Sequence, residues 1–291
     1  MNDTILPESP QIPKVIHYCW FGGNPLPELA QRCIESWKKY YPSYIIKEWN
    51  ETNFDIDSCT YVREAYDAQK WAFVSDYVRF WVLFYEGGLY FDTDVELIQP
   101  IDDLIEKGSF MGCEPALIKN NNLRVTKSAV NPGLGLAATP GLGLYKTMLE
   151  FYEGIHFLKD DGSNNLTTVV EYTTIQLKKL GWVDKSFIQK IGEIFIYPTD
   201  FFCPMNYKTG EITLTENTRS IHHYSATWKN KSEQKLYKNV QKINRIFGNN
   251  MGRILGRAYT FPYRVIQKVK DKGIKGTIVF CLKKYFKSKF I

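Results

Sequence analysis

Two acidic residues, Asp92 and Asp94, flank Thr93 directly after the apolar run Leu89-Tyr90-Phe91. In an extended chain residues i and i+2 share a face, so the spacing predicts a carboxylate pair pointing one way and Thr93 the other. Placed at the carboxyl end of a strand, where open α/β sheets bind ligands, the pair offers hard oxygen donors suited to Mg²⁺ or Mn²⁺ carrying a diphosphate. A bare acid-x-acid spacing reads equally well as a solvated strand end. The upstream segment SDYVRFWVLFYEGG adds weight, because Asp76 and Arg79 are its only charges from Ser75 through Tyr85. They stand three apart, on one helical face, and charges in so apolar a helix need partners. Two readings follow: an internal i,i+3 ion pair, or a pair serving one ligand, with Asp76 accepting from its hydroxyls and Arg79 donating to it.

These side chains need a scaffold. Lys14 to Phe21 is a β-rich run between Pro13 and Gly22-Gly23 and predicts a buried strand. Leu29, Cys33, Ile34, Trp37, Tyr40 and Tyr41 recur at helical spacing after Pro27 and stop at Pro42. Tyr44 to Trp49 predicts a second strand. One helical stretch is expected from about Tyr61 through Tyr85, ended by Gly87-Gly88. Leu89 to Asp94 then predicts a short strand. A short helix is expected near Ile101 to Glu106, strands around Phe110 to Glu114 and Leu134 to Ala138, and helices near Leu142 to Phe157 and Thr168 to Leu180. Alternating strands and helices predict an α/β domain with a mainly parallel sheet through about residue 228.

The chain has 291 residues, 44% apolar and 23% charged, which excludes a disordered or collagenous protein. Six cysteines without a CxxC pair argue against a zinc ribbon or a disulfide framework and point to a reducing, cytoplasmic compartment. The first residues lack a basic start and an apolar block, and the longest apolar runs fall far short of the roughly 20 residues that span a bilayer, so neither a signal peptide nor a span is expected. The net charge of +6 hides an asymmetry. Residues 1–228 hold 20 Lys/Arg against 29 Asp/Glu, whereas residues 229–291 hold 17 against only Glu233 and Asp271. That split predicts a catalytic body followed by a basic helical arm for a polyanion or an anionic membrane surface. In Ile274 to Ile291 an apolar arc opposes Lys283, Lys284 and Lys287, the layout of a helix lying in a membrane interface on the inner face of the cell membrane. The acidic body argues against nucleic acid as the partner.

The ordered set IPKVIHYCWFGG, SDYVR and GGLYFDTD resembles a DxD-motif family of sugar-transferring enzymes. The family includes yeast initiating α-1,6-mannosyltransferases, bacterial capsular polysaccharide glycosyltransferases and, more distantly, the catalytic domain of large clostridial glucosylating toxins. The resemblance is dense over residues 12 to 98 and thin beyond. It implies a GT-A (Rossmann-like) fold over residues 1–228, a nucleotide-sugar donor, a divalent cation and retention of anomeric configuration. Carried over by position, Trp20 would stack on the nucleotide base with Cys19 beside it. Asp76 and Arg79 would contact the donor's sugar or ribose, Tyr90 would line the pocket, Asp92 would reach ribose or metal, and Asp94 would be the principal metal ligand.

Of the histidines, His17 in the first strand and His156 in a helix read as structural. His222 and His223 lie in IHHYSATW, where family members close the donor site, so one of them is expected as a late metal ligand and Trp228 as a lid over the diphosphate. If this segment is a strand, only one histidine faces inward. Asn131 is a further donor-site candidate, since Gly133 and Gly135 let a backbone approach closely. The Gly-Pro acceptor-side motif of many relatives is missing from Leu166 to Thr174.

The expected reaction moves a hexose from a nucleotide diphosphate sugar, UDP-sugar favoured, to a hydroxyl of a glycan or lipid-linked glycan in capsular polysaccharide or lipopolysaccharide synthesis in bacteria, assisted by Mn²⁺ or Mg²⁺. No residue stands out as a covalent nucleophile, which favours front-face displacement with the departing phosphate oxygen taking the acceptor proton. A metal-dependent nucleotide-sugar hydrolase, or a nucleic-acid-binding protein using the basic arm, are the alternatives.

Overall fold

Pro13 and the Gly22-Gly23 turn bracket β1 (Val15–Cys19), and the helical spacing after Pro27 becomes α1 (Glu28–Tyr40), which delivers the chain to β2 (Ile45–Trp49). The structure is a computed structural model describing residues 11–115, 128–225 and 231–289. The expected single helix from Tyr61 to Tyr85 is two, α2 (Thr60–Asp67) and α3 (Trp71–Tyr85). The break is a left-handed C-terminal cap at Gln69 (φ 55°), with Gln69 N–H donating to Tyr66 O and Lys70 N–H to Ala65 O. Because glutamine rather than glycine occupies that position, nothing in the sequence announced it. Gly87 (φ 65°) does end α3.

Beyond it run β3 (Gly88–Tyr90), β4 (Val95–Leu97), α4 (Asp102–Ile105), β5 (Phe110–Pro115) and β6 (Ser128–Ala138). Next come α5 (Gly143–Glu153), α6 (Val169–Lys179), β7 (Gln189–Ile191), β8 (Ile194–Tyr197), α7 (Thr199–Phe202), β9 (Ser220–His222) and α8 (Lys231–Lys289). His156 lies past the end of α5, where its Nδ1 is 2.8 Å from Glu64. The expected strand Leu89 to Asp94 stops at Tyr90, so Asp92 and Asp94 are turn residues.

The main sheet has the order β2-β1-β3-β6-β5-β8-β7, with β6 and β7 antiparallel to the other five strands. Its residues alternate between two cores, the pattern of a sheet covered on both faces. Cys19, Tyr90, Met111 and Leu136 pack under α2, α3, α5 and α6. Tyr18, Leu89, Phe110 and Ala137 pack under α1 and α7. A separate ribbon pairs β4 with β9 antiparallel.

The chain divides into two compact units, residues 1–205 with 212–228, and residues 206–211 with 229–291. In the second, the 206–211 turn is tied to α8 by Tyr237 OH and Gln241 Nε2, which donate to Tyr207 O at 2.8 and 2.9 Å.

His17 is structural as expected. Trp49 Nε1–H donates to its Nδ1 at 3.0 Å, which leaves Nε2–H to donate to Gly87 O at 2.9 Å. Burial holds this imidazole neutral, lowering its pKa to about 4. As pH falls below the ordinary value near 6.5, the unfolded chain takes up the proton first. Stability present above that pH should therefore be lost on the way down to about pH 4, at up to roughly 1.4 kcal/mol per pH unit. Urea midpoints measured across this window should show a shallower pH slope for His17→Gln than for the parent chain.

Candidate active site

The apolar sequence around Asp76 and Arg79 buries both inside α3, where Arg79 Nη2 meets Asp76 Oδ1 at 2.9 Å. The second arm of the guanidinium leaves the helix, with Nη1 3.2 Å from Asp92 Oδ1. Tyr90 OH donates to the same Asp92 oxygen at 3.1 Å, and the guanidinium lies 5.1 Å from the centre of the Tyr90 ring. The internal ion pair expected of Asp76 and Arg79 forms, and through Arg79 it reaches the acid-x-acid segment. Cys19 packs beside it at the end of β1, its thiol pushed up to about 12 by burial. Trp20 follows, half-buried, with its Nε1–H donating to Asn24 O at 2.5 Å.

Asp92 and Asp94 converge through a turn rather than through strand alternation. Val95 N–H donates to Asp92 O at 3.0 Å, and Asp92 N–H donates to Gly133 O in β6 at 3.1 Å. A Cβ at Gly133 would fall on the Asp92 carboxylate, so the bare backbone is what admits it. The register of β4 on β9 sets Val95 opposite His222 and brings His222 Nε2 to 3.2 Å from Asp94 Oδ1. His223 points elsewhere, with Nε2 2.7 Å from Glu96. Only His222, the last residue of β9, faces Asp92 and Asp94, and the expected ligand role has no geometric support at His223. Trp228 lies outside the described residues.

Ser225 donates to Asp94 Oδ2 from both backbone N–H (2.8 Å) and Oγ (2.9 Å). Burial opposes ionisation of Asp94, but the adjacent His222 and the two Ser225 donors outweigh it and hold the carboxyl well below the usual range. Burial likewise opposes the His222 imidazolium, yet the Asp94 charge lifts its pKa to about 9. Burial pushes Asp76 up to about 7 against the pull of Arg79, while Arg79 stays cationic because Asp92 and Asp76 outweigh its desolvation.

Asn131, buried in β6, donates to Glu114 Oε2 at 2.8 Å and accepts from Gly133 N–H at 2.7 Å. Glu114 also accepts from Tyr224 OH at 3.1 Å, and the Tyr224 ring packs 4.3 Å from His222. Glu114, Tyr224 and Ser225 escaped the sequence reading. For Glu114 a signal existed: it is an acid closing the apolar strand FMGC, the same anomaly that singled out Asp76.

Asp92, Asp94 and His222 present ligand atoms all within 4.8 Å of one another. Two carboxylates and one imidazole are donors that divalent cations accept, so the residues present fit such an ion. His222 Nδ1 is buried without a hydrogen-bond partner among the described residues. Gly133→Ala should displace the Asp92 carboxylate and weaken Mn²⁺ binding, read by electron paramagnetic resonance, about tenfold or more while leaving the circular dichroism spectrum unchanged.

Residues 27–111 match the glycosyltransferase sugar-binding region containing a DXD motif. Over 123 residues the chain is 28% identical to inositol phosphoceramide mannosyltransferase 1 of Schizosaccharomyces pombe, covering 38% of this chain and only 37% of that protein. Among solved structures, PaToxG glycosyltransferase aligns over 58% of this chain and 69% of its own, at 19% identity and a TM-score of 0.41. A glycosyltransferase involved in the glycosylation of the major capsid of PBCV-1 aligns over 76% and 97%, at 12% identity and a TM-score of 0.42. Residues 27–111, with Asp92 and Asp94 as their acid-x-acid motif, are thus similar to the DXD-containing sugar-binding region of glycosyltransferases.

Proposed function

We propose that this protein is a metal-assisted, retaining hexosyltransferase that takes a nucleotide diphosphate sugar, UDP-sugar favoured, and glycosylates a hydroxyl of a glycan or lipid-linked glycan in bacterial surface polysaccharide synthesis. The observation that carries the reading is the convergence of Asp92, Asp94 and His222 beside the buried Asp76–Arg79 pair. A divalent cation held by those three residues would bind diphosphate oxygens and neutralise charge on the leaving group.

The chain's own groups supply the rest. Trp20 offers an aromatic face to the nucleotide base. Asp76 accepts from sugar or ribose hydroxyls, and Arg79 brings a fixed cation to the same end of the pocket. Tyr90 holds Asp92 in orientation, and Asn131 presents its amide from β6. Ser225 holds Asp94, so the carboxylate needs no rearrangement to act as a ligand. With the Cys19 thiol neutral and both DXD acids engaged, front-face displacement fits better than a covalent intermediate. Residues 1–228 form the catalytic body, and residues 229–291 form a basic extension that meets an anionic membrane surface from the cytoplasmic side.

Donor turnover, followed as nucleoside diphosphate release, should vanish on chelation and return with Mn²⁺ or Mg²⁺ in preference to Zn²⁺. Asp94→Asn should abolish it without unfolding the chain; near-normal turnover at saturating Mn²⁺ would sink the metal assignment. Release that is indifferent to every glycan acceptor would favour a hydrolase.

Arg79→Lys and Asp76→Asn should each lower turnover on the order of tenfold or more, since a lysine cannot reproduce a guanidinium shared between two carboxylates. A sharp fall in melting temperature with full activity in the remaining folded protein would instead mark the pair as structural.

A further inference from the structure

The second compact unit contains a helical hairpin. Gly248 leaves the helical region (φ 69°, ψ 173°). Beyond it, Gly252 backs onto Asn244 and Gly256 onto Val240, while Asn239 Nδ2 donates to Tyr259 OH at 2.6 Å. The glycine pairings are symmetric about Gly248, so the helices before and after it run antiparallel, in the close approach that small residues permit. The 206–211 turn braces this hairpin: Asn244 Nδ2 donates to Lys208 O at 3.0 Å.

One group of exposed apolar side chains lies at the bend, while Tyr259, Phe261, Ile266 and Ile274 are exposed farther along. Ile246, Phe247, Met251 and Ile254 are 72%, 52%, 53% and 60% exposed. Apolar side chains at the bend of a two-helix hairpin cannot be covered by its own two helices. Arg245, Arg253 and Arg257 are exposed around them, and between Gln234 and Lys270 the sequence holds nine Lys/Arg and no Asp or Glu. No described helix is long and apolar enough to cross a membrane. An apolar tip ringed by cations matches the two layers of an anionic bilayer surface, acyl chains below and negatively charged headgroups above.

We propose that the hairpin tip, Ile246, Phe247, Met251 and Ile254 with Arg245, Arg253 and Arg257 around them, seats in the interface of an anionic lipid bilayer as a shallow wedge. This rests on the proposed membrane partner of the extension and gives it a location, while it is independent of the glycosyl-transfer reading. The apolar side chains enter the headgroup and acyl boundary, and the arginines pair with lipid phosphates from the rim.

The test is co-sedimentation of the full chain with vesicles of phosphatidylcholine alone or mixed with phosphatidylglycerol, at low and high salt. Binding confined to the mixed vesicles and weakened by salt is expected. The double variant Ile246→Glu, Phe247→Glu should lower partitioning about tenfold or more, and Arg253→Glu, Arg257→Glu should do the same. Both should retain helicity and donor turnover with a water-soluble acceptor. Unchanged sedimentation of the tip variant overturns the proposal. So does equal binding to neutral vesicles, a dimer of the parent chain that the tip variant dissociates, or a gel shift with an RNA oligonucleotide in the absence of vesicle binding. Sedimentation reads no turnover, so an inactive enzyme that binds vesicles and an active one that does not are distinguishable outcomes.

Discussion

Arg79 is only 3% exposed, so its guanidinium must find counter-charge within the protein, and it does so from two elements at once. Asp76 meets it from one turn back along α3; Asp92 meets it from the turn after β3. Removing Arg79 would leave the buried Asp76 carboxylate without a counter-charge in an apolar core, a cost of roughly 3–5 kcal/mol when that carboxyl is ionised. The ion pair therefore fixes the acid-x-acid turn to the helix more firmly than packing alone would. Tyr90 strengthens the tie, since its ring lies by the guanidinium and its hydroxyl reaches the same Asp92 oxygen.

Around that anchor the acids are held by donors from distant parts of the chain. Gly133 in the antiparallel strand β6 accepts from the Asp92 amide and yields the volume its carboxylate needs. Ser225 and His222 hold Asp94 from the β9 side. Glu114 joins these arms, because one of its oxygens accepts from both Asn131 and Tyr224, and Tyr224 packs on His222. Tyr224 adopts φ 48°, a left-handed conformation uncommon for a bulky residue. Strain of this kind persists where surrounding contacts over-determine it. Here the contacts are hydrogen bonds to Glu114 and Cys203.

The extension obeys a different logic. Its cations have almost no acidic partners in sequence, and its glycines set the bend and the close crossing of the hairpin rather than the approach of a carboxylate. The same residue type thus serves a site in one unit and a fold-back in the other. In both cases the missing Cβ is what matters.

The sequence by itself determined whatever depends on neighbours a few residues apart. Strand and helix periods, Pro and Gly punctuation and the charge split at residue 228 were all readable, as was the anomaly of Asp76 and Arg79 in an apolar helix. So was the expectation that, were the segment a strand, only one of His222 and His223 would face inward; His222 closes β9 and is the one beside Asp94. The α2–α3 break was not readable, because its left-handed cap is a glutamine stabilised by its own backbone bonds. Nor was the true reason that Asp92 and Asp94 converge. That reason is a turn held by β6, together with the β4–β9 register that brings His222 across 128 positions of chain to Asp94. Such meetings are decided by long-range strand pairing and by the need to neutralise a buried charge, and only the folded chain brings both to bear.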